Sequence, residues 1–465
     1  MIKIPRPLFP VIAALSKIGR PRFVGGCVRD ALLGCPAEDL DIEVSETSFD
    51  ILAQTLRRFG ATDVVGRSFG TVKLSLDGTF YDFSLPRRES KTGQGHRGFK
   101  IEPDPTLSDA EAAARRDFTV NAMAWDPATQ TLVDPFNGRS DLEAKILRHT
   151  SSSFVEDPLR VLRAMQFASR FEMHLAPETI ELSRSISHTF TELAPERVWA
   201  EWDKWALHSR RPSLGLRVLQ QTDWLRHFPE IDALVHTPQD PTWHPEGDVF
   251  THTLHCLDAL VAHSDWAKMP FDSRRTLMFA VLAHDFGKPA TTVQKERAGV
   301  LRWASPRHAH EGGPLVESWL ERIGAPHRFA PVISPLVRLH MAHHGTGDQP
   351  PSDSHIRRLA RKLAPATISE LVTVMRADAR GRPPRYDPDV LKLIDFIENR
   401  AGALALQDNT PQPLILGRHL VERGLTPGPQ FKTILDEAFE AQLDGKFTDH
   451  DGSMVWIDSH LKPDA

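Results

Sequence analysis

The hydrophobic pattern of this chain changes period once. Within the first 150 residues or so, apolar and polar side chains alternate in LDIEV, KLSL and FYDFSL, the signature of half-buried strands. RFVGG is a short apolar run stopped by two glycines, and FDILAQTLRRFG reads as a helix closed by glycine. From about Glu156 strand signals become scarce and helical spacing runs nearly to the end. The expected fold is α+β, a small β-sheet head with helices followed by an all-α body. With 465 residues the chain has room for about three domains. The joints before Glu156, at His236–Pro245 and at Gly381–Pro388 predict a head over 1–150, a helical neck over 151–235, a third domain over 236–400 and a helical tail over 401–465.

Composition narrows the class. Charged residues make up 25% and hydrophobic residues 40%, ordinary for a soluble globular chain. No run approaches the ~20 apolar residues of a membrane helix, so no membrane partner is expected. Prolines break the short apolar start MIKIPRPLFPVIAAL, which argues against a signal peptide. Three cysteines are too few for a disulfide framework and point to a reducing cytoplasm. The net charge of −5 means that a nucleic-acid partner would need a local basic surface. Lys91–Asp104, with three glycines, reads as a mobile loop.

The acids of the head carry the first chemical signal. In DLDIEV, strand alternation puts Asp39, Asp41 and Glu43 on one face and Leu40, Ile42 and Val44 on the other. Asp82 in FYDFSL likewise stands opposite Tyr81, Phe83 and Leu85. Neighbouring carboxylates suit a hard divalent cation such as Mg2+, although an exposed strand face can carry acids without one. GGCVRDALLG, just upstream, is a glycine-rich turn leading into a helix, a place for phosphate.

VGGCVRDALLG…DLD, RRDFTVNAMA, DPFNGRSDL and EDPLR, in that order, resemble the four signatures of the nucleotidyltransferase head shared by bacterial CCA-adding enzymes and poly(A) polymerases, class II. The resemblance implies Mg2+ held by Asp39 and Asp41, with Asp82 as a third carboxylate. It further implies triphosphate contact by Gly25, Gly26 and Arg29, and ribose contact by Arg116, Asp117 and Asn121. The alternative reading of Asp117 is a helix N-cap ahead of FTVNAMA. Asp157 and Arg160, three apart on a helix, offer an acceptor and a donor. Cytosine and adenine present the matching edge, whereas uracil and guanine present the reverse and would leave polar groups unpaired. In the resembling family this pair serves as a protein template, with Glu156 bracing Arg160. Without that likeness, Asp157 is simply a cap and Arg160 a local ion-pair partner. PERVWAEW resembles a fifth, structural signature. Leu159, Leu162, Met165 and Ala168 form a core stripe. The loop residues Arg87, Arg88, Glu89 and Arg97 resemble the pattern of enzymes that add the full CCA, and the tail lacks the strong basic character of poly(A) polymerases.

A second set of residues lies between about 236 and 400: His252, then His284–Asp285 in HDFGK, His308 and His310, His340, His343 and His344, and Asp378. Imidazole and carboxylate together suit a transition metal or Mg2+. The order H…HD…H…H…D resembles the HD phosphohydrolase superfamily, which implies His252, His284, Asp285 and Asp378 as ligands of Ni2+, Mn2+ or Mg2+, with His310 and His340 for a second ion or phosphate. The implied reaction is hydrolysis of 2′-phosphates or 2′,3′-cyclic phosphates by a metal-activated water. Head plus HD body resembles the multifunctional CCA-adding enzymes. The expected function is transfer of CMP, CMP and AMP from CTP and ATP to a tRNA 3′ end, by a monomer or homodimer. The alternatives are A-only or CC-only addition, poly(A) synthesis, or an HD phosphohydrolase whose head docks RNA. The helix HIRRLARKL, with Arg357, Arg358, Arg361 and Lys362 off its apolar stripe, is either a solvated face or a phosphate contact.

Overall fold

The computed structural model describes residues 2–36, 39–64, 70–91, 99–343, 350–384 and 387–461. Arg97 and His344, and positions 92–98 of the expected loop, lie outside them. The chain forms two compact units, 1–227 and 228–465.

The first unit is built on seven strands: β1 (Arg20–Val24), β2 (Asp41–Ser45), β3 (Ala61–Val64), β4 (Thr71–Leu76), β5 (Thr79–Ser84), β8 (Ala124–Asp126) and β9 (Thr131–Val133), in the order β3-β4-β5-β2-β1-β8-β9. All neighbours are antiparallel except β2 and β5. Alternation does what the pattern requires: Ile42, Val44, Val72, Leu74, Tyr81 and Phe83 are buried on one face. The start of β2 falls later than expected, because Asp39 and Leu40 precede it in a bend. The sequence around the glycine-rich loop also holds structure: β6 (Arg87–Lys91) pairs antiparallel with β7 (Phe99–Pro103).

Behind the sheet, β10 (Ile146–Leu147) pairs in parallel with β11 (His174–Leu175), and the neck helices follow. Helix Leu159–Phe171 packs on Pro195–His208 and Pro212–Gln221 around fully buried Trp202 and Trp205. Gly215 sets the closest approach, since a Cβ there would meet Ser169 Oγ and lie 2.7 Å from the Met165 carbonyl oxygen.

The second unit is helical, with one departure from the expected pattern. β12 (Val293–Arg297) and β13 (Val300–Ala304) form a hairpin after residue 156, turned by Ala298 and Gly299, both at positive φ (51° and 77°). The tail has its own small core of Ile415, Leu420, Ala438, Ala441, Phe447 and Ile457. That tail occupies the basic helix Asp353–Leu363: Arg358 bonds Glu440 at 3.0 Å and Asp444 at 2.8 Å, and Arg361 bonds Glu440 at 2.7 Å. Arg357 donates to the Leu443 carbonyl at 3.3 Å. Three of its arginines contact the segment Pro429–Asp444, while Arg361 and Lys362 remain exposed, so part of this basic face is solvated. Among the described residues no helix is long and apolar enough to cross a membrane.

Substituting Gly215→Ala should overpack the neck by roughly 1–3 kcal/mol. Calorimetry should show the transition of residues 1–227 moved down by several degrees.

Candidate functional site

The sheet brings the head acids together through register. In the parallel β2–β5 pair Asp41 stands opposite Asp82, and each side chain leaves the face opposite the buried Ile42 and Phe83. Asp39 lies two residues ahead, exposed. Desolvation pushes the Asp41 carboxyl up; Arg116 opposes this, and the charges of Asp82 and Asp39 add to it. Asp82 Oδ1 is buried with no hydrogen bond, and Lys73 Nζ stands 3.6 Å away. Hard oxygen donors, one of them orphaned, fit a divalent cation.

Beside them is a cleft of about 470 Å³ lined by Gly26, Asp41, Arg116, Asn121, Asp157 and Arg160, among others. Gly25, with φ 76°, opens the helix Gly26–Leu32, and a Cβ on it would lie 2.5 Å from Arg116 Nη1. The backbone angle therefore requires glycine, and any side chain there would also displace the Arg116 guanidinium. Among the described residues the Arg116 guanidinium makes no hydrogen bond, although Glu43, Asp41 and Asp117 lie within its electrostatic reach, so its N–H groups are left for an anion.

The other expected contacts are largely spoken for within the protein. Arg29 is 5% exposed; its Nη1 donates to Asn121 Oδ1 at 2.6 Å, its Nε and Nη2 to Asp30 Oδ1 at 2.8 and 2.7 Å, and its plane lies 4.3 Å from the Phe171 ring. Asn121 Nδ2 donates to Asp117 Oδ1 at 2.9 Å, and Arg163 grips Asp117 Oδ2 at 2.7–2.8 Å. Burial works against the Asp117 carboxylate, yet Arg163 and the bonds from Asn121 and the Phe118 N–H hold it below the ordinary range. Asp117 caps no helix, and Phe118 occupies the N-cap of the 3-10 turn that follows. Asp30–Arg29–Asn121–Asp117–Arg163 is thus a continuous brace, four of whose five members line the cleft.

Asp157 and Arg160 both line that cleft. Asp157 Oδ1 accepts from the Leu159 N–H at 3.1 Å and Oδ2 from Arg197 at 3.0 Å. Arg160 donates to the carbonyls of Ser153 and Arg115, each at 2.7 Å. These carbonyls, not Glu156, brace it, because no hydrogen bond joins Glu156 to Arg160. Of the five guanidinium N–H groups two are used, and each Asp157 oxygen keeps a lone pair, so both residues retain hydrogen-bonding capacity toward the cleft. Sequence reasoning missed Arg163 and treated the Arg197 segment as purely structural. The i+3 spacing of Arg163 from Arg160 was the available signal.

The second unit gathers His252, His284, Asp285, His308, His340 and Asp378, all under 9% exposed. His284 Nδ1 lies 2.7 Å from the Val281 carbonyl, His340 Nδ1 2.7 Å from that of Val337, and His308 Nδ1 2.8 Å from that of Ser305. His252 Nδ1 lies 2.8 Å from Glu246 Oε1. A carbonyl or carboxylate only accepts, so each ring carries its proton on Nδ1 and turns an Nε2 lone pair inward. Those lone pairs then face other acceptors: His252 Nε2 and Asp378 Oδ1 are 3.1 Å apart, His284 Nε2 and Asp285 Oδ2 3.2 Å, His308 Nε2 and His340 Nε2 3.3 Å. Acceptors do not bond acceptors, whereas metal bonds of ~2.0–2.1 Å set neighbouring donors about 3 Å apart. His284 Nε2 and Asp285 Oδ1 are buried without a hydrogen bond, and Asp285 Oδ2 has the Lys288 ammonium at 2.7 Å. The donor set fits divalent metal.

Asp285 sits between two groups, with Oδ2 toward His284 and Oδ1 toward His308 at 3.4 Å and His340 at 4.0 Å. Burial opposes ionisation of Asp285 and Asp378, yet the Lys288 ammonium beside the first and the Arg382 guanidinium beside the second hold them well below the carboxylate range. Burial also drops His340 to about 3, so its ring is neutral at pH 7. His310, expected here, points away: its side chain is 63% exposed and contacts Glu311. His308, two positions earlier, takes the place, because the first turn of helix His308–Arg322 buries that position. The sequence reading also missed Glu246, Lys288 and Arg382, whose roles depend on contacts between segments distant in the chain. Cys256 Sγ lies 3.3 Å from His252 Nε2, and burial keeps its thiol protonated.

Replacing Glu246 with Gln removes the charge that orients His252. Titration calorimetry with Mn2+ should show affinity for the cluster lowered roughly 10- to 100-fold.

Residues 21–148 match the poly A polymerase head domain, residues 172–235 the probable RNA and SrmB-binding site of polymerase A, and residues 249–381 the HD domain. The multifunctional CCA protein of Hahella chejuensis is 35% identical over 443 residues, 91% of this chain and 97% of that protein. That of Methylococcus capsulatus is 38% identical over 420 residues, 88% of this chain and 91% of that one. Among solved structures, the Thermotoga maritima CCA-adding enzyme complexed with tRNA matches 99% of this chain and 97% of its own at TM-score 0.62 and 20% identity. The Bacillus stearothermophilus CCA-adding enzyme in complex with CTP matches 98% of each at TM-score 0.64 and 21% identity. At such identity these two report a shared fold. With sequence relatives that span nearly its whole length, the chain belongs to the multifunctional CCA protein family and is a nucleotidyltransferase that carries an HD domain.

Proposed function

We propose that the first unit adds CMP, CMP and AMP to the 3′ end of tRNA from CTP and ATP, releasing pyrophosphate. The observation that carries this reading is the single cleft shared by Asp41, Arg116, Asp157 and Arg160. Mg2+ held by Asp39, Asp41 and Asp82 would supply activation of the 3′-hydroxyl and neutralisation of the leaving pyrophosphate. The chain's own groups do the rest. Arg116, whose guanidinium makes no hydrogen bond among the described residues, meets the triphosphate close to the Gly25 backbone. The brace along the cleft, Arg29 to Arg163, holds Asn121 and Asp117 at the ribose end. Arg160 donates to the acceptor edge of cytosine or adenine and Asp157 accepts from the amine. UTP and GTP leave both residues facing like groups.

For the second unit we infer hydrolysis of 2′,3′-cyclic phosphates or 2′-phosphates. Its support is the buried ring of inward lone pairs beside Lys288 and Arg382, cations suited to a phosphoester's charge. Ni2+, Mn2+ or Mg2+ at this cluster would supply a nucleophilic water at neutral pH. Water adds to phosphorus, one ring P–O bond breaks, the freed ribose oxygen takes a proton, and a monoester remains.

With tRNA lacking CCA and labelled CTP or ATP, two CMP and then one AMP should be incorporated. Asp39→Asn with Asp41→Asn should abolish incorporation. Asp157→Ala or Arg160→Ala should cut discrimination between CTP and UTP by roughly 5- to 150-fold, the equivalent of ~1–3 kcal/mol per unpaired group. Long A tracts would instead mark a poly(A) polymerase. His284→Ala with Asp285→Ala should abolish opening of 2′,3′-cyclic AMP and leave nucleotide incorporation unaltered; loss of both activities together contradicts the assignment of the two reactions to two sites.

A further inference from the structure

The cavity over the histidine–carboxylate cluster, about 580 Å³, passes two indoles on its way to solvent. Trp243 and Trp303 both line it. Of the chain's ten tryptophans, Trp243 is the one that stands out as exposed, at 59%. Leaving an indole in water forfeits the burial that such a side chain ordinarily gains.

The two walls that carry the rings are built and tied. Trp243 sits in a turn closed by the Thr242 N–H on Asp240 Oδ1 at 2.9 Å and the His244 N–H on the Asp240 carbonyl at 2.8 Å. Trp303 lies on β13, held by the hairpin register opposite Gln294. Arg302 crosses between the walls, donating to Asp240 Oδ2 at 3.4 Å and Thr242 Oγ1 at 3.2 Å. The next residue after Trp243, His244, turns inward to Glu246 at 2.9 Å, so one turn serves both the mouth and the floor. At the floor Lys288 Nζ lies 2.7 Å from Asp285 and Arg382 Nη2 2.9 Å from Asp378.

Aromatic faces at the mouth, and cations with metal-binding groups at the floor, divide the cavity by chemistry. We propose that Trp243, with Trp303, is a base-stacking platform, and that the HD cavity takes a nucleoside phosphate with its base on the indoles and its phosphoester at the floor. This rests on the hydrolytic reading of the cluster given above. Stacking reads the π face and not the hydrogen-bonding edge, so the platform favours purines over pyrimidines without selecting one base. A free nucleotide and the last residue of an RNA present the same base and phosphoester to this cavity.

The test compares three substrates in the Mn2+-loaded full-length protein: 2′,3′-cyclic AMP, a short oligoribonucleotide ending in a 2′,3′-cyclic phosphate, and glycerol cyclic phosphate, which has no base. Trp243→Ala should raise KM for a base-bearing substrate roughly 10-fold relative to glycerol cyclic phosphate, with kcat little changed, and Trp243→Phe should recover most of the loss. A rise confined to the oligonucleotide assigns the platform to RNA ends, one confined to cyclic AMP assigns it to free nucleotides, and either upholds it. An equal change for all three substrates overturns it. Calorimetric binding of adenosine 2′-monophosphate separates the two ideas. If nothing is hydrolysed but wild type binds and Trp243→Ala binds at least several-fold more weakly, the hydrolytic reading fails and the platform stands. If wild type does not bind, the platform falls.

Discussion

Concentrating anionic or lone-pair donors without matching protons is unfavourable in a folded chain, and this protein does it in both units. In the head, parallel register sets Asp41 against Asp82, and desolvation, with the Asp82 charge adding to it, pushes the Asp41 carboxyl up. In the second unit, four imidazoles turn unprotonated Nε2 atoms toward one another and toward two carboxylates, at 3.1–3.3 Å for the nearest pairs. Each arrangement becomes favourable when a cation is shared among the donors. The rest of each unit serves to hold these groups in place.

Holding is done by neighbouring side chains and backbone groups. In the head, Arg163, Asn121 and the Phe118 N–H satisfy Asp117, while Asn121 and Asp30 engage Arg29, so a chain of charges fixes the cleft wall. Arg160 stands on two backbone carbonyls and Asp157 on a backbone N–H and Arg197, which pre-orients both without exhausting either. In the second unit the Nδ1 bonds play the same part, since a carbonyl of the preceding turn chooses the tautomer of His284 and of His340. Loss of such an orienting partner weakens a site while leaving its ligands in place.

The basic helix Asp353–Leu363 shows how charge pattern misleads when read alone. Four cations on one side of an amphipathic helix suit solvent or phosphate equally. The structure gives Arg358 and Arg361 to Glu440 and Asp444, residues some eighty positions later. The hairpin β12–β13 was hidden for a related reason. Its two-residue turn is Ala298-Gly299, not the Asn-Gly or Asp-Gly pair that announces a type I′ turn, and Val293, Val300 and Leu301 are exposed, so no alternation marks a buried face.

Spacing along a single element carries its own information in the order of residues. Period-two alternation placed Asp41 and Asp82 on the polar faces of their strands, helical spacing put Asp157 beside Arg160, and the order of histidines and aspartates marked the second cluster. What only tertiary structure decided is which of those groups meet, and through what. Helical phase alone could not choose His308 over His310, because the choice depends on which side of that turn is covered. The Arg163–Asp117 bond spans 46 residues and the His252–Asp378 contact 126, and no local pattern encodes a pairing at that separation. Local sequence specifies the direction of a side chain, but burial and charge complementarity between distant segments select its partner.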